Sequence, residues 1–254
     1  VIRDIMIPNP LSVSDHLQLD QLHGFFQQHH FLGVPVISDD GLLVGVVQRS
    51  DVDQAWIERQ DRSMLRRQGI VSGEEIRSMP LWERASGRLS WLSLNIVLNL
   101  MAVAIISHFE STLAAAITLT AFLPIISDMS GCSGNQSVAV SIRELMLGIV
   151  NAGDVFQVWL KEISIGLING LAVGVLLGVI AWIWKGNAVL GLVVGGALFL
   201  NTLVAVSIGG IVPLVLRRLG RDPAVGSGPL LTTVTDMCGF FLVLSMASQF
   251  IDYL

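Results

Sequence analysis

Two cysteines and one tyrosine are all that the 254 residues hold of either type. Cys132 and Cys238 both lie in apolar stretches, too few for a disulfide framework or a cysteine-rich metal site. Charge is scarce as well. Asp, Glu, Lys and Arg make up 14% of the chain, against about 25% in soluble domains, so this is not an ordinary soluble protein. A net charge of -5 and a sequence pI of 5.4 argue against nucleic acid as the main partner. No basic head followed by an apolar run opens the chain, so no signal peptide is expected. A first residue of Val is expected of a piece of something longer. What the chain does have is apolar surface: 52% hydrophobic residues and a mean hydropathy of +0.68, which exclude disorder.

The charges are placed unevenly, with 21 of the 35 in residues 1–88. The front third reads as soluble and the remainder as membrane-embedded. Within 1–57, Leu17, Leu22, Phe25 and Phe26 repeat at helical spacing. Residues 33–37 (GVPVI) form a buried-strand run, Asp39-Asp40-Gly41 a hairpin turn, and 42–47 the returning strand. Ser50 or Asp51 is suited to cap a second helix that buries Val52, Ala55 and Trp56. Ile5-Met6, "GVPVISDDG" at 33–41 and "LVGVVQRSD" at 43–51 resemble a CBS module, a type that usually comes in pairs and often senses nucleotides or ions. In such modules a hydroxyl and an Asp after the last strand hold a ribose. Asp51 fits the Asp, but Gln48 stands where the hydroxyl belongs, which counts against nucleotide binding. His16, His23, His29 and His30 invite a metal reading, but no Cys or carboxylate stands at ligand spacing in the sequence. Residues 58–90 read as a polar, helix-prone connector.

Five apolar segments follow, at about 91–109, 112–140, 163–184, 188–216 and 229–251. Each is long enough for a hydrocarbon core that takes about 20 residues. Pro124, Gly131 and Gly134 are expected to break the second. Gly166, Gly170, Gly174 and Gly178 fall on one helical face and predict a close helix–helix contact. With the front third inside, the inner flanks hold Arg84, Arg88, Arg143, Lys161, Arg217, Arg218 and Arg221. The outer flanks hold Lys185 beside Glu110 and Asp252. This pattern places the N-terminus in the cytoplasm and the C-terminus outside a cell (inner) membrane. The expected fold is a mainly α-helical membrane protein of five transmembrane helices, with a small N-terminal α/β module (1–57), a connecting helix (58–90) and a pore domain (91–254).

A charged group at membrane depth costs about 2.5–3.5 kcal/mol on insertion scales and is functional by default. Asp236 stands in the fifth segment with Thr232 and Thr233 one turn before it and Gly239 three residues on. Asp128 stands in the second, near the amides Asn135 and Gln136. Thr hydroxyls and Asn201 are satisfied cheaply within and between helices, so Asp236 carries the functional reading. A run of Thr-Thr-Val-Thr-Asp offers oxygens to the water shell of a hard cation.

"SGNQS" at 133–137 followed by Arg143, "KEISIGLINGL" at 161–171, and "IVPLVLRRLGRDPAVGSGPLLTTVTD" at 211–236 resemble the MgtE family of magnesium transporters. The resemblance covers nearly the whole chain. It implies a homodimeric Mg²⁺ channel in a lipid bilayer, not an enzyme, with Mg²⁺ the ion carried. The fifth helices would line the pore, with Asp236 its carboxylate and Thr232, Thr233 and Gly228 beside it. It also implies gating by cytoplasmic Mg²⁺, for which Asp51, Asp53, Glu58 and Asp61 are the regulatory candidates among an acid load that includes Asp15, Asp20, Asp39, Asp40, Glu74, Glu75 and Glu83. Asp128 and Cys132 depart from the family, standing where Gly and Asn are expected. The family's acidic N-terminal domain and first CBS module are not in this sequence. Alternatives are a divalent-cation transporter of broader selectivity (Co²⁺, Mn²⁺, Ca²⁺), a CBS-regulated anion channel, or, distantly, an intramembrane aspartyl protease with Asp128 and Asp236 as its dyad.

The orientation is open to direct test. In single variants Arg221→Cys and Asn187→Cys, an impermeant thiol reagent applied to intact cells labels position 187 and spares 221. Labelling of position 221 from outside would overturn the topology.

Overall fold

The computed structural model describes residues 10–67, 69–70 and 75–254, with the backbone alone for residues 67, 224–227 and 229. Ile5, Met6 and Glu74 lie outside the described residues. The chain divides into two compact units, Val1–Leu65 and Arg66–Leu254.

The first unit is a small α/β module. Strand β1 (Val13–Ser14) pairs parallel with β2 (Gly33–Ile37), which pairs antiparallel with β3 (Leu43–Gln48). Gly41 closes the hairpin at φ 73°, in the left-handed region that glycine enters without a Cβ clash, and Ser38 N–H donates to Leu42 O at 2.9 Å. Helix α1 (Leu19–Gln28) lays Phe26 into a core with Val13, Val34 and Val52, the last from α2 (Arg49–Arg67). Ser50 and Asp51 lie within α2 rather than capping it, since the helix already begins at Arg49. Val44 and Val46, on the sheet face away from this core, are exposed, as is Leu32.

The second unit is a helical bundle. Its elements are α3 (Leu81–His108), the short α4 (Glu110–Ala115), α5 (Leu123–Met146), α6 (Val155–Lys185), α7 (Ala188–Arg218) and α8 (Pro223–Gln249). The stretch expected as a connecting helix over 58–90 is helical in two parts, the end of α2 and the opening turns of α3. Glu75, between them, accepts from Arg84 Nε at 3.0 Å and Arg88 Nε at 3.1 Å. The hydrogen bonds from Arg88 and then Arg84 hold its carboxyl below the usual carboxylate range. A depressed pKa means that this pairing stabilises above the unfolded value and is lost as pH falls through the folded one.

Among the described residues, α3, α6, α7 and residues 230–249 of α8 are long and apolar enough to cross a membrane. Helix α5 is long enough, about 36 Å for its 24 residues, but carries too many polar groups to pass as an apolar span. The break expected within the second segment falls earlier, at a 3₁₀ turn over Ile117–Ala121. Helix α5 runs unbroken through both Gly131 and Gly134, and at Gly134 neighbouring helices use the space: a Cβ there would lie 2.8 Å from Leu231 and 3.0 Å from the Ala205 carbonyl.

Helix α7 is the centre, packed on α5, α6 and α8, while α3 packs on α8. The four-residue glycine stripe of α6 is its buried face, and α7 is what it meets. A Cβ on Gly174 would stand 2.7 Å from the Gly195 carbonyl, and one on Gly195 would stand 2.5 Å from that of Gly174. Backbone touches backbone, so dispersion replaces the hydrophobic effect that lipid cannot provide. Leu119, Phe122, Ile126, Val194, Leu198 and Leu244 fill the adjoining apolar core. Between α6 and α7, Gly186 at φ 70° makes the turn. Asn187 Oδ1 caps α7 by accepting from Val189 N–H (2.8 Å) and Leu190 N–H (3.1 Å), and its Nδ2 donates to Tyr253 O at 2.7 Å.

Gly195→Val must therefore force α6 and α7 apart. Overpacking of this kind costs about 1–3 kcal/mol, read as a lower melting temperature of the detergent-solubilised protein. Gly87→Ala, with nothing within 4 Å of the added Cβ, serves as the neutral control.

Candidate functional site

The site is built where α5 and α8 cross. Asp236 sits in the interior of α8, half-buried, and accepts a hydrogen bond from Ser127 Oγ of α5. Among the described residues no basic side chain reaches it. One turn earlier on the same side, Thr232 is half-buried and donates to the Gly228 carbonyl at 3.2 Å. Gly228 is half-buried too. Thr233 is 5% exposed and turns into the protomer, so Asp236, Thr232 and Gly228 share a face and Thr233 does not join them. Carboxylate, hydroxyl and carbonyl oxygens on one helix face suit a hard cation that keeps its water.

The turn bearing Asp236 is held from behind. Asn201 of α7, fully buried, donates from Nδ2 to the Thr235 carbonyl at 3.0 Å. Gly239 makes room for it, since a Cβ there would fall 2.5 Å from Asn201 Nδ2. Thr235, also fully buried, donates to Thr232 O at 3.0 Å. The glycine and the amide look unremarkable in sequence. Their joint role is to fix the turn on which Asp236 stands.

Helix α5 has two characters. Ser130, Ser137 and Ser141 are buried, and Ser141 donates to the Gly210 carbonyl of α7 at 3.0 Å. Asp128, Cys132, Asn135 and Gln136 are exposed. Asp128 lies within the helix rather than at a break. No hydrogen bond joins Asp128 to Asp236 among the described residues, so the geometry gives no support to a proton-sharing dyad.

A second carboxylate was not singled out by the sequence. Glu162 of α6 is 7% exposed and accepts from Ser137 Oγ. Its side chain occupies the space left by Gly210, where a Cβ would lie 2.7 Å from Glu162 Cγ. The available signal was a lone acid heading a glycine stripe.

In the first unit, the four regulatory candidates all lie on α2. Asp51, Glu58 and Asp61 are exposed and fall along one side of the helix. Glu58 accepts from Gln54 at 3.0 Å. Asp53 points the other way, 3.6 Å from Arg49 and 3.8 Å from His23. Two carboxylates do gather around one histidine: His16 Nε2 is 3.5 Å from Asp39 and 3.8 Å from Asp15. The hairpin turn carries Asp39 to the end of β1, and all three side chains are exposed.

Comparison with known proteins agrees with this division. Residues 2–58 match the CBS domain, and residues 123–246 match MgtE, a family described as divalent cation transporters. Three curated relatives bear the name magnesium transporter MgtE. That of Bacillus subtilis (strain 168) is 32% identical over 254 residues, all of this chain and 56% of the relative. That of Enterococcus faecalis is 31% identical over 253 residues, all of this chain and 55% of the relative. That of Thermus thermophilus is 31% identical over 256 residues, 99% of this chain and 56% of the relative. The chain thus spans a little over half the length of the relatives it matches. With a CBS match in front and an MgtE match over residues 123–246 behind, the chain carries a domain of the MgtE family following a CBS domain.

Proposed function

We propose that this protein carries Mg²⁺ across the cell membrane through a pore on the axis of a homodimer, with Asp236 as the pore carboxylate. The observation that supports this most is Asp236 itself. It is a carboxylate in the interior of an apolar helix, bonded to one hydroxyl and to no basic side chain among the described residues. Its charge calls for a cation from solution. Two copies across a two-fold axis would balance one divalent ion held through its water shell, with Thr232 and Gly228 lining the approach and Thr233 bracing α8 from within the protomer.

In this reading residues 1–57 are a cytoplasmic module, one of a pair, 58–90 the coupling segment and 91–254 the pore domain. The exposed apolar side of β3, with Val44 and Val46, suits the pairing. Cytoplasmic Mg²⁺ favours a closed pore by binding weakly at α2, where Asp51, Glu58 and Asp61 are exposed and Asp53 is already engaged. Binding there supplies the differential affinity that a gate requires. The N-terminus is cytoplasmic and the C-terminus outside. The broader-selectivity reading, in which Co²⁺ or Mn²⁺ also passes, draws support from the thiol of Cys132 on the exposed face of α5.

Mg²⁺ uptake into vesicles containing the full-length protein tests the proposal, with Ca²⁺ and Mn²⁺ as competitors. Asp236→Asn keeps the size and removes the charge. It should lower Mg²⁺ uptake by at least about tenfold, the equivalent of about 1.4 kcal/mol, while the oligomeric mass in detergent stays that of a dimer. Full uptake by a well-folded Asp236→Asn protein would overturn the assignment.

A further inference from the structure

The exposed polar face of α5 is a charge problem that the Asp236 reading leaves unsolved. Asp128, Cys132 and Asn135 lie three to four residues apart, so they share one side of the helix, with Gln136 at its edge. All four are exposed on the protomer. Among the described residues no hydrogen bond or ion pair reaches Asp128. The basic residues of α5 to α8 stand near helix ends: Arg143, Lys161, Lys185, Arg217 and Arg218. A bare carboxylate turned to lipid would cost about 2.5–3.5 kcal/mol even on the mildest scale. This face must therefore meet water or a counter-ion.

Its level relative to Asp236 is fixed by two contacts. Ser127 bonds Asp236, and Gly134 packs on Leu231. The two helices therefore run antiparallel, with position numbers that sum to nearly the same value at each crossing. At about 1.5 Å per residue, Asp128 stands within a turn of the level of Asp236. Cys132 stands opposite Thr232, and Asn135 and Gln136 opposite Gly228. The polar run of α5 thus matches the polar run of α8 step for step.

We propose that Asp128 is a second cation-binding carboxylate in the same pathway, level with Asp236, and that Cys132 one turn away gives this level a sulfur ligand for softer divalent ions. The proposal rests on the reading of Asp236 given above. Paired carboxylates raise the attraction for a divalent cation over a monovalent one, because each adds its charge to the same ion. A thiolate beside them selects Cd²⁺, Zn²⁺ or Co²⁺ over Mg²⁺, since hard cations take oxygen and softer ones take sulfur. A soft ion held there occupies the path and blocks Mg²⁺.

The test uses the full-length protein in vesicles with Cd²⁺ as the probe, in a Cys238→Ser background that leaves Cys132 as the thiol of the described spans. Cd²⁺ should block Mg²⁺ uptake at micromolar concentration. Cys132→Ser and Asp128→Asn should each raise the half-blocking concentration at least about tenfold, as expected when one strong ligand of a soft-metal site is lost. A water-soluble thiol reagent should label Cys132 in the folded protein, and millimolar Mg²⁺ should slow that labelling severalfold. Absence of Cd²⁺ block, block unchanged in both variants, or failure to label Cys132 would overturn the proposal. Full uptake by Asp236→Asn would instead overturn the pore reading beneath it, so the two failures are told apart.

Discussion

The approach of two bare backbones at Gly174 and Gly195 sets the spacing of the helical unit. Helix α6 can lie that close to α7 only because neither presents a side chain there. Lipid tails are as apolar as leucine, so helices in a bilayer gain nothing by hiding greasy surface from it. They gain by filling space closely. With α6 drawn in, α7 is enclosed on three sides, and 61% of its most apolar stretch is buried against 6% for α3. An enclosed α7 is what allows Asn201 to be fully buried and still find a partner on α8.

From there the order passes outward by hydrogen bonds. Asn201 holds the Thr235 carbonyl, and Ser127 holds Asp236 from the α5 side. The carboxylate is held from α5 and its turn from α7, and neither contact neutralises it. A basic residue in place of Ser127 would have made a salt bridge and neutralised the group. A hydroxyl orients the group and leaves its charge available. Glu162 is the counter-example in the same bundle. It is buried within the protomer, accepts from Ser137 and fills the gap at Gly210, which is the behaviour of a packing element.

Much of this was legible in the linear sequence, and the limits have a physical cause. The strand at 33–37, the Asp-Asp-Gly turn and the glycine face of α6 are local patterns with fixed periods and appear where the period places them, while the returning strand expected at 42–47 lies one residue on, at 43–48. Asp236 was legible because charge is so rare in its surroundings. The partners were not: Ser127 lies 109 residues from Asp236, and Asn201 lies 34 from Thr235. No spacing rule encodes such pairs, since tertiary packing chooses them. The same holds for His16, whose carboxylate neighbour Asp39 arrives by way of a hairpin. Helix α5 was misjudged in a different way. Its glycines read as breaks because glycine weakens isolated helices, whereas the helix runs through both and Gly134 is where α7 and α8 close in.

The cap at Asn187 has a mechanical consequence. One side chain holds the first N–H groups of α7 and, through Tyr253, the last turn after α8. Those two ends are pinned to a common point, while among the described residues no side chain clamps the cap at the arginine-bearing end of α7. Over the 31 residues of α7, about 46 Å at 1.5 Å per residue, a tilt of about 5° at Asn187 swings Arg218 by about 4 Å. In any such tilt the displacement is smallest at Asn187 and largest at Arg218, with the turn bearing Asp236 between the two.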